Sequence, residues 1–194
     1  MNLALDLISD ICWSITYTAA IVLGAKRRTW CIPKLAICQN FAWEFWVVLD
    51  RFCTGGTRSV AFVIQFVWLL LDMGILFLWL RYDRNKGQPL KNAMLLVVVM
   101  TAMYLLAYSG GYWEFAAFLI NAIMSGLFIL RASRDHSPWT SSVIASAKLV
   151  GTLAATILNG VIFRNGVILW LGGLCLIFDS YYLMTLRRKN LDNG

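Results

Sequence analysis

Seven apolar stretches, each about as long as the roughly 20 residues needed to cross a bilayer as a helix, follow one another through this 194-residue chain. They run near residues 2-23, 31-52, 59-80, 92-109, 112-130, 140-163 and 166-186, and little chain remains between them. With 60% hydrophobic and 14% charged residues, the composition is that of a polytopic membrane protein rather than a soluble domain. The fold class expected is all-α: residues 1-194 form one membrane domain, a bundle of seven transmembrane helices. A soluble catalytic domain, a nucleotide-binding loop or a nucleic-acid-binding module has no room. The net charge of +7 therefore reflects loops gathered on one side, and no nucleic-acid partner is expected.

Lys and Arg test that segmentation. Lys26, Arg27, Arg28 and Lys34 follow the first stretch, Arg81, Arg84, Lys86 and Lys91 the third, Arg131 and Arg134 the fifth, and Arg187, Arg188 and Lys189 the seventh. The intervening connections hold only Arg51, Arg58 and Arg164. By the positive-inside rule the N-terminus lies outside and the C-terminus in the cytoplasm, which needs an odd number of crossings. No basic residue precedes the first stretch, so it reads as a retained helix and not a signal peptide. Turn signals at Gly55-Gly56, Asn85-Lys86-Gly87, Gly110-Gly111, Asp135-His136-Ser137-Pro138 and Asn165-Gly166 mark short loops, and consecutive helices are expected to pack as antiparallel neighbours. No internal repeat of the kind that builds transporters is evident. Trp30, Trp79 and Trp139 lie near the cytoplasmic ends and read as an aromatic belt.

Ionisable residues at bilayer depth cost free energy unless paired, neutralised or facing a polar cavity, so each is a functional candidate. In the second stretch Asn40 and Glu44 share a helical face with Trp43 alongside. Glu44 lies about 10 Å from the outer end at ~1.5 Å per residue. Desolvation favours the neutral form of a carboxyl, so a group placed there is suited to donate a proton. In the third stretch Gln65, Trp68 and Asp72 recur on one face. Asp72 and Asp179 sit at equal depths in their stretches, and Lys148, the one basic residue within a stretch, needs one of them as its counter-ion. The sequence leaves open which. Asp50 and Arg51 read as a surface ion pair. Two further stripes, Asp6, Asp10, Trp13 and Tyr17 in the first stretch and Glu114, Phe118, Asn121 and Ser125 in the fifth, read as structural or interfacial. In the seventh stretch Tyr182 falls three residues after Asp179, placed to face the carboxyl or a cation.

Metal and triad chemistry find no support. The five cysteines lack metal-ligand spacing and read as packing residues, and the single histidine, His136, sits in a basic loop. No metal and no cofactor are expected. The nine tryptophans, seven tyrosines and eleven phenylalanines suit an apolar cavity whose ring faces stabilise carbocations and exclude water.

The segment Asn40-Phe41-Ala42-Trp43-Glu44 resembles the Asn-x-Ala-Trp-Glu motif on the second helix of the small integral membrane terpene cyclases, the paxilline and pyripyropene type, whose bacterial relatives cyclise indole sesquiterpenes. Trp68 to Asp72, Lys148-Leu149-Val150-Gly151-Thr152 and Phe178-Asp179-Ser180-Tyr181-Tyr182 match further family features in the same order, and the short ends and loops look more like the bacterial branch. The resemblance implies a catalytic part for Glu44 and Asp179, with Glu44 as proton donor, Asp179 as partner acid or charge stabiliser, Asn40 orienting Glu44, and Trp43, Trp68 and Tyr182 lining the cation path. Asp72 and Lys148 complete the expected site. It implies a prenylated aromatic or indole substrate, protonated at an alkene or epoxide and cyclised through carbocations within the membrane lipid, in the plasma membrane of a bacterium or the endoplasmic reticulum of a fungus. It implies no diphosphate ionisation, in keeping with the lack of an Asp-rich metal motif. The competing reading of the buried charges is a relay in a small-solute or proton-coupled transporter.

Overall fold

The computed structural model describes residues 3–83, 88–134 and 141–192. Their seven long helices are α1 (Leu3–Arg27), α2 (Lys34–Cys53), α3 (Val60–Tyr82), α4 (Pro89–Met103), α5 (Trp113–Arg134), α6 (Ser142–Thr156) and α7 (Gly166–Asp192). A 3-10 turn, Gly56–Arg58, precedes α3, and π turns extend α4 through Tyr104–Ser109 and α6 through Ile157–Ile162. The expected turns at 85-87 and 135-138, with His136 and Trp139, lie outside the described residues.

Local chemistry sets the helix ends. Pro33 delays α2 to Lys34, and Pro89, whose missing N–H costs nothing in a first turn, opens α4 earlier than the apolar run alone implies. Ser59 accepts the Phe62 N–H at 3.1 Å and Ser141 the Ile144 N–H at 3.3 Å, capping α3 and α6. Asn165 Oδ1 accepts the Ile168 N–H at 3.2 Å at the start of α7.

Among the described residues six helices are long and apolar enough to cross a membrane: α1, α3, α4 with its π turn, α5, α6 with its π turn, and α7. The exterior is correspondingly apolar, with Ile11 and Ile15 of α1 and Val63, Phe66, Val67, Leu70 and Phe77 of α3 exposed. On a water-facing surface so large an apolar area would drive association, whereas lipid accepts it. The protein is an integral membrane protein. The remaining long helix, α2, carries its polar residues inward, with Gln39, Asn40 and Glu44 buried.

Around the bundle the order of contacts is α1, α3, α2, α5, α7, α6 and back to α1, with α4 on the outside against α2 and its π turn against both α2 and α5. Antiparallel neighbours in sequence pack together in α2 with α3 and α6 with α7. The expected packing of α1 on α2, α3 on α4 and α5 on α6 gives way, among the described residues, to α1 on α3 and α6, and α5 on α7. Small residues set those choices, since in lipid helix association depends on close approach. A Cβ on Gly172 would fall 2.3 Å from Thr156 Oγ1, and one on Gly151 would fall 3.1 Å from Cys12 Cβ, so α7 and α1 both lie tight against α6.

Both ends of the ring are polar in different ways. At the Lys- and Arg-rich end Asp83 accepts from Lys34 Nζ at 2.6 Å, Asn92 Nδ2 at 3.1 Å and Trp79 Nε1 at 3.2 Å, fastening α2, α3 and α4. Trp79 is completely buried there, so it is a core residue and no part of an interfacial belt. At the opposite end the helices part around a cavity.

Candidate active site

The cavity measures about 620 Å³ and penetrates from the N-terminal end of α1 and α5 and the C-terminal end of α2. Its α1 wall runs from Asp6 to Tyr17, about 16 Å at ~1.5 Å per residue, roughly half the thickness of a bilayer core. That volume lies within the ~300–1,000 Å³ typical of small-molecule sites.

Each wall comes from one helix face. α1 supplies Asp6, Asp10, Trp13 and Tyr17, α2 supplies Asn40, Trp43, Glu44 and Val47, and α3 supplies Gln65 and Trp68. α5 supplies Glu114, Phe118, Asn121 and Met124, and α6 supplies Thr152, Ala155 and Asn159, the last within its π turn. The indole N–H groups bond to adjacent helices. Trp43 Nε1 donates to the Trp113 carbonyl at 3.2 Å, joining α2 to α5, and Trp68 Nε1 donates to Ser14 Oγ at 3.0 Å, joining α3 to α1. With their polar edges satisfied, the rings remain as apolar wall. Tyr17 lies against Trp13 at 5.8 Å and Trp68 at 6.2 Å between ring centroids.

Glu44 is 2% exposed, stands on this wall, and its Oε2 has no hydrogen-bond partner among the described residues. Asn40, one turn earlier, donates its Nδ2 to the Tyr17 hydroxyl at 3.3 Å and not to Glu44, so the amide anchors α1 to α2 and does not orient the acid.

Asp179 is placed differently. Both its oxygens accept from Lys148 Nζ, at 2.8 and 2.7 Å, and the ammonium also donates to Ser125 Oγ at 2.6 Å. All three are at most 1% exposed. This trio, drawn from α5, α6 and α7, lies off the cavity wall. It connects to the cavity through Trp13, whose ring centre is 5.8 Å from the ammonium, and through Asn121, which donates to Thr152 at 3.0 Å one turn above Lys148. Lys148 thus takes Asp179 as its counter-ion and leaves Asp72 without one among the described residues. Asp72 is also buried and off the wall, one turn below Trp68, and its Oδ2 lacks a partner among the described residues.

Of the expected site residues, Glu44, Asn40, Trp43 and Trp68 line the cavity, and Asp72, Asp179, Lys148 and Tyr182 do not. Tyr182 is a core residue packed on Phe128, ring centroids 5.1 Å apart. Asp50 and Arg51 stand at the cavity rim. The α1 stripe, read from sequence as structural or interfacial, is a whole wall of the cavity. Its four-residue spacing was the available signal, but spacing does not say what a face looks onto.

A sequence profile of Pyr4-like transmembrane terpene cyclases matches residues 2–129, a segment that holds Glu44 and Asp72 but not Lys148 or Asp179. The chain is 25% identical over 149 residues to the Pyr4-family terpene cyclase mfmH of Annulohypoxylon moriforme, an alignment covering 75% of this chain and 55% of that one. It is 27% identical over 167 residues to the terpene cyclase esdpB of Penicillium shearii, covering 76% and 66%. It is 25% identical over 202 residues to the terpene cyclase pyr4 of Aspergillus fumigatus, covering 91% and 81%. In the first two the chain spans less than two thirds of the relative's length. No solved structure matches.

Proposed function

The chain belongs to the Pyr4-like transmembrane terpene cyclase family, and on that premise we propose that it protonates an alkene or epoxide of a prenylated aromatic or indole substrate and drives carbocation cyclisation in the cavity. The observation that carries this reading is Glu44, a buried carboxyl with an unpartnered oxygen on the wall of an aromatic chamber of about 620 Å³.

A group held out of water with no cation beside it is suited to hold and deliver a proton. The substrate's prenyl chain lies between the rings of Trp13, Tyr17, Trp43 and Trp68, whose π faces attract the cation as it moves along the chain and offer no nucleophile to trap it. The aromatic or indole head stays toward the polar rim, where Asp6, Asp50, Arg51 and Glu114 stand. Asp179 acts through Lys148: the pair is neutral as a unit, fixes α5, α6 and α7 beside the cavity, and sets the ammonium near Trp13. Tyr182 and Asn40 serve the site by packing and anchoring.

The polypeptide crosses the membrane seven times, α2 included, since α3, α4 and α5 shield its polar face from lipid. The N-terminus and cavity mouth face outward and the basic end faces the cytoplasm. The membrane is the plasma membrane in a bacterium and the endoplasmic reticulum in a fungus. A transporter needs a path to both faces. The wall residues all belong to one half of the bundle, and below them lie the Lys148–Asp179 pair and the packed side chains Phe128, Ile144 and Tyr182, which favours a chamber over a conduit.

The test is Glu44→Gln in membranes supplied with 3-farnesylindole. Cyclised product should fall by about 10²-fold or more; full retention would overturn the reading.

A further inference from the structure

A prenylated substrate dissolves in lipid, whereas the mouth of the chamber is rimmed by Asp6, Asp50, Arg51 and Glu114. Drawing a hydrocarbon chain out of the bilayer and past those charges would expose it to water, which the hydrophobic effect opposes. A way in from the side avoids that step, and the seam between α1 and α3 has the shape of one.

Toward the basic end the seam is shut. A Cβ on Gly24 would lie 3.0 Å from Leu78 Cδ1 and one on Gly74 3.1 Å from Ile21 Cδ1, so the two helices meet there with no room between them. Nearer the mouth they are joined by side chains instead, Trp68 Nε1 donating to Ser14 Oγ at 3.0 Å. Outside this bond lies a second hollow, a groove of about 640 Å³ whose walls include Leu7, Ile11, Ser14, Ile15 and Thr18 of α1 and Ile64 of α3. Leu7, Ile11 and Ile15 are exposed, so the groove opens to lipid.

Groove and chamber are separated by a thin partition. Asp10 lines both. Consecutive residues of α3 divide between them, Ile64 facing the groove and Gln65 the chamber. Ser14 stands in the groove wall, and the Trp68 ring it holds stands in the chamber wall. At the seam the partition is therefore made of side chains, Asp10, Gln65 and the Trp68–Ser14 pair. Side chains can move aside by changing rotamer, whereas the close helix packing at Gly24 and Gly74 cannot open without shifting a whole helix.

We propose that the seam between α1 and α3, on the mouth side of the Trp68–Ser14 bond, is a side entrance through which the prenyl chain passes from lipid into the chamber, an inference that rests on the chamber being the cyclisation site of a prenylated substrate. The chain first lies in the groove along Ile11, Ile15 and Ile64. It then passes Asp10 and Gln65 to reach the rings of Trp13 and Trp68, while the head stays level with the polar rim. The occupant is the prenyl chain and not the acyl chain of a resident lipid, because the groove is continuous through Asp10 with the chamber that the prenyl chain must reach.

The test uses the purified protein in phosphatidylcholine vesicles with 3-farnesylindole. It compares Ile64→Trp and Ile11→Trp, which fill the groove, with Val67→Trp, which puts the same ring on the exposed face of α3 outside it. The groove variants should lower kcat/KM by about tenfold, because capture of the substrate slows. Their plateau rate in single turnovers at excess enzyme, and their product, should stay those of the parent, and Val67→Trp should match the parent throughout. Ile64→Cys blocked with benzyl methanethiosulfonate should lose kcat/KM in the same way and regain it with dithiothreitol, which reads one folded molecule in both states; the parent treated alike accounts for its own cysteines. Parent kcat/KM with the groove filled or blocked would overturn the entrance. So would an equal loss in Val67→Trp, or a changed plateau rate or product, since either would mean that the chamber itself had been disturbed. No product from the parent would defeat the substrate reading and the entrance with it, whereas an active parent beside parent-like groove variants removes the entrance alone.

Discussion

Glu44 and Asp179 are both buried acids within apolar helices, yet their surroundings are opposites. Glu44 stands at the open half of the bundle, where α1, α2, α3 and α5 hold polar side chains apart around a cavity, and one of its oxygens bonds to nothing among the described residues. Asp179 stands where α5, α6 and α7 close tightly, with both oxygens on the Lys148 ammonium. Burial alone therefore does not mark a working acid. A carboxyl with both oxygens on an ammonium is spent on holding helices together, while an unsatisfied one at a cavity keeps the capacity to give a proton away.

The largest effect should come from the open side. Glu44→Gln is expected to reduce cyclisation by about 10²- to 10⁴-fold while leaving folded yield intact, as judged by size-exclusion profile in detergent. The closed side should respond in stability. Asp179→Asn leaves a buried ammonium uncompensated and should cost about 3–5 kcal/mol, read as lost yield and lower thermal stability. Pairing Lys148→Met with Asp179→Leu removes both charges and should recover most of that loss. A smaller effect is expected at the wall: Trp68→Leu deletes a ring face and the bond to Ser14, and should slow turnover by about tenfold, in line with ~0.5–2 kcal/mol for a desolvated cation–π contact. The smallest lies far from the cavity. Lys34→Met removes the ammonium donor to Asp83 at the basic end and should lower stability by ~1 kcal/mol or less with turnover per folded molecule unchanged.

The all-α polytopic class and the approximate helix limits were readable because apolar run length and short loops report directly on what lipid tolerates. Proline shifted the starts of α2 and α4 by fixing where a first turn can begin. Neighbour choice was readable only for α2 with α3 and α6 with α7. Loop length argues for adjacent partners, whereas Gly151 and Gly172, by admitting α1 and α7 close to α6, help set the ring order actually adopted. The same contacts decide Lys148. Asp72 and Asp179 match in depth, so the sequence left both as partners; α7 lies against α6 and α3 does not, which gives the ammonium to Asp179. The stripe Asp6, Asp10, Trp13 and Tyr17 failed to stand out for a related reason. A polar face at four-residue spacing fits an interface or a cavity equally well, and only the positions of α2 and α3 make it a cavity wall.

The most direct test is turnover of 3-farnesylindole per folded molecule in two variants measured side by side, Glu44→Gln and the double variant Lys148→Met with Asp179→Leu. The account expects Glu44→Gln to be folded and inactive, and the double variant to be folded and within about tenfold of the parent, since a neutral apolar pair can replace a buried ion pair. A folded, inactive double variant beside an active Glu44→Gln would contradict it.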